Sequence, residues 1–159
     1  MRYIIVDLEA TCWENVRDPD RMETIEIGAV ELLSAQMPSS RKFNRFIRPV
    51  VERELSDFCR RLTAIRQRDV DLADEFSLVF PEFLEWIGEE PFFLCSWGGY
   101  DLTQLRRDCD RHGMARALNL AGLPLEGTHH RGIDDARNIA RLANRVLPIL
   151  ESSGVLALD

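Results

Sequence analysis

The chain has 159 residues, 45% of them hydrophobic, and a formal net charge of -7, enough for one domain with a proper core and short for two. No stretch approaches the ~20 consecutive apolar residues of a membrane-spanning helix, and the opening MRYIIVDLEA is charged too early for a secretory leader, so a soluble cytoplasmic protein without a membrane role is expected. Cys12, Cys59, Cys95 and Cys109 lie far apart with no CxxC spacing, which favours reduced thiols over disulfides or a zinc site.

Residues 3 to 8 read as a first strand, with Asp7 and Glu9 one residue apart at its end. Side chains alternate along a strand, so both carboxylates face the same way. Two crowded anions repel each other and resist desolvation unless a cation sits between them. Hard oxygen ligands of this kind suit Mg²⁺ or Mn²⁺; the competing reading is a plain exposed strand terminus. Residues 24 to 33 (TIEIGAVELL) alternate as a second strand and residues 42 to 47 (KFNRFI) form a third. The linkers at 15 to 20 and 34 to 40 are polar and carry Pro, which suggests an antiparallel meander.

Residues 41 to 68 hold nine basic side chains against three acidic ones, whereas residues 69 to 90 hold eight acids and no base. The molecule reads as polarised, and 19 of its 20 basic residues are Arg, which grips phosphate through two parallel donors. A solvated, arginine-rich face explains the same run equally well. Within it, Leu55, Phe58, Cys59 and Leu62 give a helical pattern over 54 to 65. Phe76, Val79, Phe80, Phe83, Leu84 and Ile87 then mark an amphipathic helix over 72 to 87. Trp13 and Trp86 are assigned to the core.

Residues 92 to 97 (FFLCSW), between Pro91 and a Gly98-Gly99 pair, predict a buried strand. Asp101 follows, placed to cap a helix reaching about His112, with Leu102, Leu105 and Cys109 inward. A short helix over 115 to 120 comes next. The stretch HHRGIDDA, residues 129 to 136, sets a His five residues before an Asp at the start of a last amphipathic helix over 134 to 150. In isolation Asp101 reads as a helix cap and the His as a solvated loop residue. The order predicts a single domain over 1 to 159, an α/β or α+β mixed sheet flanked by helices.

Taken together, three separate segments bring carboxylates to the ends of elements, and the last adds a His able to accept a proton near neutral pH. Asp7 and Glu9, then Asp101, then His130 with Asp135 spell D-x-E, a distant D, and H-x-x-x-x-D. This pattern resembles the DEDDh exonucleases, the superfamily of RNase T and the polymerase epsilon proofreading subunit. The strings DLEATCW, LSDFCRRLTAIRQ, LCSWGGYDLTQLRRDC and EGTHHRGIDDARNIARL are similar to its 3'-to-5' exoribonucleases of the enhanced-RNAi and KinA-pathway-inhibitor type. His129 and Asp134 share the spacing, but the family sets its catalytic Asp directly before Ala, which selects His130 and Asp135 and leaves Asp134 as a cap.

The resemblance implies an RNase H-like fold and a two-metal mechanism. Asp7, Glu9, Asp101 and Asp135 would hold two Mg²⁺ or Mn²⁺ ions and His130 would act as general base, releasing nucleoside 5'-monophosphates from RNA 3' ends, single-stranded or in short overhangs. Met22, Leu62, Thr63 and Trp97 are candidates for gripping the terminal nucleotide, with Ala10 and Thr11 offering backbone contacts. The Arg-rich segment could track the RNA backbone, and a partner protein could direct substrate choice. Two departures stand out. The strand and helix that relatives place between HG and GM are missing near residues 112 to 115, and Ala64 stands where relatives carry Gly. The alternatives are a DNA exonuclease of the same superfamily and a catalytically silent RNA-binding regulatory module.

Overall fold

The computed structural model describes residues 2–16, 18–33, 41–96 and 99–114. Its elements run β1 (Arg2–Ala10), β2 (Thr24–Leu32), β3 (Lys42–Phe46), α1 (Asp57–Thr63), α2 (Gln67–Asp71), α3 (Phe76–Ile87), β4 (Phe92–Cys95) and α4 (Tyr100–Arg111). The strand order is β3-β2-β1-β4. β1 pairs antiparallel with β2, β2 antiparallel with β3, and β1 parallel with β4, so the predicted meander is present inside a mixed α/β sheet. All eight elements belong to the unit Met1–Leu123. The helices expected over 115 to 120 and 134 to 150 lie outside the described residues.

β1 buries Ile4, Val6, Leu8 and Ala10 and turns Tyr3, Ile5, Asp7 and Glu9 to its other face. Ile4, Val6 and Leu8 meet Ile27 and Ala29 of β2 and the inward stripe of α3, Phe76, Val79, Phe80, Phe83 and Ile87, with Leu105 and Cys109 of α4. Phe80 and Phe83 are fully buried, and each such ring removes enough apolar surface from water to contribute ~2–3 kcal/mol. Trp86 packs against this cluster as expected. Trp13 does not belong to it: it is half-buried, with the Arg21 guanidinium carbon 4.5 Å from its ring centroid.

A smaller cluster of Ile25, Leu55, Cys59, Ile65 and Val70 seats α1 and α2 at the far end of β1. The single helix expected over 54 to 65 is shorter, and a second one-turn helix follows it. Ser56 caps α1 by accepting the Cys59 amide at 2.9 Å. Ala64 closes it with φ 60° and ψ 8°, the left-handed conformation usually left to glycine. α3 likewise begins at Phe76 rather than near residue 72, because Glu75 is extended and ends the preceding loop. β4 stops at Cys95 and is half-buried along its length.

The four cysteines are free. No helix among the described residues is long and apolar enough to cross a membrane.

The basic segment is not left free. Arg45 pairs with Asp74 at 3.0 Å and with Glu82, Arg48 with Glu75 at 3.1 Å, Arg66 with Asp69 at 2.8 Å, and Arg60 with Asp57. The acidic stretch after residue 68 thus faces Arg45, Arg48 and Arg66 of the basic one before it, a correction to the polarised molecule expected from charge counting.

Candidate active site

Asp7 and Glu9 project from the open face of β1, and antiparallel pairing sets Asp7 opposite Gly28 and Glu9 opposite Glu26. Immediately after Glu9 the register shifts, and such irregularities re-aim side chains at the ends of strands. β4 pairs with β1 only as far as Ile5 opposite Cys95. Beyond that point the Leu8 amide lies outside the β1–β4 register, and Asp101 takes it, with Leu8 N donating to Oδ1 at 3.0 Å. That bond fixes a carboxylate from the first turn of α4 beside the residues flanking Leu8 in the sequence, Asp7 and Glu9.

Asp101 is therefore not the helix cap. Gly99 occupies that position without a side-chain hydrogen bond, and Asp101 is 3% exposed. Burial pushes its carboxyl above the ordinary range and Asp7 pushes it further, while the Leu8 amide and the Ser96 side chain oppose the rise. Glu9 is raised by burial, then by Asp7, Glu26 and Asp101. Glu26 is raised by burial and by Asp7, against a hydrogen bond from Asn44. The mutual causes show that these carboxylates share one electrostatic environment. Glu26 went unnoticed in the sequence because it reads as the solvent side of an alternating strand; only its pairing with Glu9 reveals it.

Tyr100 is a second residue that sequence reasoning missed. It is 39% exposed, and its hydroxyl is pushed up to about 12 by burial and then by Asp101, Cys12, Asp108 and Glu9. Tyr100 directly precedes Asp101 in the first turn of α4. The nearby thiol offers no nucleophile: Cys12 is pushed up to about 12 by burial and by Cys59, and a thiol that stays protonated at neutral pH does not attack.

The expected nucleotide-gripping residues divide. Leu62 is 65% exposed at the end of α1. Thr63 is committed to the helix end, its hydroxyl donating to Cys59 O at 2.9 Å and accepting from Ile65 N at 3.1 Å. Thr11 is buried, its amide donating to Glu23 O at 2.9 Å and its hydroxyl accepting from Glu23 N at 3.0 Å, and Ala10 O accepts from the Cys59 thiol. Met22 is half-buried. Trp97, His130 and Asp135 lie outside the described residues.

The donor chemistry fits a hard divalent cation, since oxygen ligands that raise one another's pKa are relieved by positive charge. Among the described residues, no group of three His, Cys, Asp or Glu side chains is drawn together closely enough to hold an ion unaided.

Residues 4–121 match the sequence family described as exonuclease (RNase T). The chain belongs to that family. It is similar to the rat 3'-5' exoribonuclease 1, 28% identical over 90% of this chain and 52% of the relative. It is also similar to the fruit fly 3'-5' exonuclease Snipper, 27% identical over 87% of this chain and 66% of the relative. The chain spans about half the length of the exoribonuclease 1 relatives it matches. Among solved structures, the nuclease domain of 3'hExo, a DEDDh family member bound to rAMP, superposes with a TM-score of 0.65 at 28% identity, covering 92% of each chain. A 3'-exonuclease recognising the histone mRNA stem-loop gives 0.64 at 27% identity, over 92% of this chain and 63% of the other. The exonuclease fold is thus the RNase H-like one that the resemblance implied.

Proposed function

We propose that the chain is a metal-dependent 3'-to-5' exoribonuclease that releases nucleoside 5'-monophosphates from RNA 3' ends, single-stranded or in short overhangs. The observation that supports this reading is the Leu8 amide bond to Asp101, with Asp7 and Asp101 both raising the Glu9 carboxyl, in a member of the exonuclease family.

Asp7, Glu9, Asp101 and Asp135 are the residues that would hold two divalent cations, Mg²⁺ or Mn²⁺. When bound, these ions would supply Lewis-acid stabilisation of the charge that develops on the phosphate and the departing 3' oxygen. His130 would accept the proton of the attacking water, a role suited to an imidazole near neutral pH. The exposed side chain of Leu62 and the ring of Tyr100 offer apolar surface for the terminal base, together with Met22 and Trp97. Stacking on a ring is worth ~1–3 kcal/mol and tolerates every base. Ala10 and Thr11 bound the same end of β1.

Free thiols fit a reducing, cytoplasmic setting, and choice among RNAs falls to the catalytic domain or to a partner protein. Matched RNA and DNA oligonucleotides with Mg²⁺ test the substrate. The reading predicts faster shortening of RNA with 5'-monophosphate products. Shortening of DNA alone would replace it with the DNA exonuclease, and binding without cleavage would leave the silent RNA-binding module.

A further inference from the structure

One buried carboxylate gathers contacts from two distant parts of the chain. Asp108 lies two turns along α4 from Asp101 and is 1% exposed. Its Oδ2 accepts from the Thr24 amide at 3.0 Å, the Thr24 hydroxyl at 2.6 Å and Gln104 Nε2 at 3.0 Å, and its Oδ1 accepts from Arg111. Gln104 and Arg111 then reach past it. Gln104 Nε2 and Arg111 Nη1 each donate to Met22 O at 3.1 Å, and Arg111 Nη2 donates to Asp20 O at 2.7 Å.

α4 therefore holds the segment at 20–24 through three of its backbone groups, the carbonyls of Asp20 and Met22 and the amide of Thr24. The same segment is tied to the end of β1 by the reciprocal bonds between Glu23 and Thr11, two residues beyond Glu9. Holding the segment this way leaves a polar atom unmatched. Gln104 is fully buried and its Oε1 has no hydrogen-bond partner, while its two N–H groups are spent on Met22 and Asp108. Apolar packing would join a helix to a loop without an orphaned acceptor, but it would not fix the height of a backbone carbonyl along the helix.

We propose that Gln104 and Arg111, bridged by the Asp108 carboxylate, are positioning residues that lock the Met22 segment to the helix bearing Asp101, so that the wall gripping the 3'-terminal nucleotide and the carboxylate end keep one spacing. This rests on the exonuclease reading and deepens it. The clamp governs how tightly the terminal nucleotide is held and leaves the hydrolytic step to other groups.

The test compares wild type with Arg111→Ala, Arg111→Lys and Asp108→Asn. Steady-state cleavage of a 5'-labelled single-stranded RNA is measured in Mg²⁺, and adenosine 5'-monophosphate binding is titrated directly. In Arg111→Ala, KM and the nucleotide dissociation constant are expected to rise together by about fivefold or more, as a loosened binding wall requires, with kcat within about twofold. Lys at 111 can still reach the Met22 carbonyl and recovers part of the loss. Asp108→Asn keeps an acceptor for Thr24 and Gln104 and disturbs only the Arg111 pair, so it gives the same readout should the alanine variant not fold. Unchanged KM and nucleotide binding in folded variants, or a fall in kcat alone, overturns the proposal. If the wild type leaves RNA intact while still binding the nucleotide, the exonuclease reading fails and the dissociation constants of the variants still decide the clamp.

Discussion

Ala64 ends α1 with φ 60° and ψ 8°, and glycine at this position is expected to stabilise the protein. An L residue in the left-handed region costs ~1–2 kcal/mol because its Cβ crowds the carbonyl oxygen. Glycine escapes that cost but gives the unfolded chain more freedom, which returns ~0.4–1 kcal/mol. Ala64 is exposed, so its methyl buries nothing and its removal opens no cavity. The balance favours Ala64→Gly by about 1 kcal/mol, and in a chain of this size that raises Tm by roughly 2–4 °C. Urea unfolding followed by circular dichroism is the direct assay, with a higher midpoint and an unchanged slope. A midpoint that stays or falls would show that the strain argument is wrong, either because the angle relaxes or because the methyl is packed.

Asp101→Asn is expected to be more stable than wild type at pH 7 when unfolded in EDTA, and to lose about a hundredfold or more in activity when assayed in Mg²⁺. Because burial and Asp7 raise the Asp101 carboxyl, the native state binds more protons than the unfolded chain between the ordinary value of 3.8 and the raised one. Its contribution to stability therefore falls as pH rises through that window. The advantage of the amide should close near pH ~3, below the ordinary carboxylate range, and a gap that persists there would contradict the assignment. Arg45→Ala with Arg48→Ala should leave the salt dependence of RNA binding unchanged, because both guanidiniums already face Asp74, Glu75 and Glu82. A fall in the slope of about one ion per arginine would show instead that they contact phosphate.

The strands and α3 were legible because their signals are local. Alternation in β1 to β3 and the three-and-four spacing of Phe76, Val79, Phe80, Phe83 and Ile87 need no knowledge of the rest of the chain. α2 escaped notice because Val70 is its only buried residue, which is too little for a period. The helix cap expected at Asp101 does not form, since the helix starts at the preceding residue and the carboxylate reaches back 93 positions to Leu8. The position of Glu26 opposite Glu9, the Arg45 and Arg48 ion pairs and the Asp108 network all depend on pairings between distant segments, which composition and spacing do not encode. Of the expected metal and acid-base set, Asp101 bonds the amide of Leu8, the residue between Asp7 and Glu9; His130 and Asp135 lie outside the described residues and rest on the motif.

The measurement that tests the central claim most directly follows a 5'-labelled single-stranded RNA with time in Mg²⁺ or Mn²⁺, for wild type, for Asp7→Ala, and for wild type in EDTA. A ladder that shortens from the 3' end is expected with wild type in either metal, and its loss is expected in Asp7→Ala and in EDTA. A ladder that survives Asp7→Ala or EDTA would contradict that claim, because the carboxylates gathered at the end of β1 would then have no part in the cleavage.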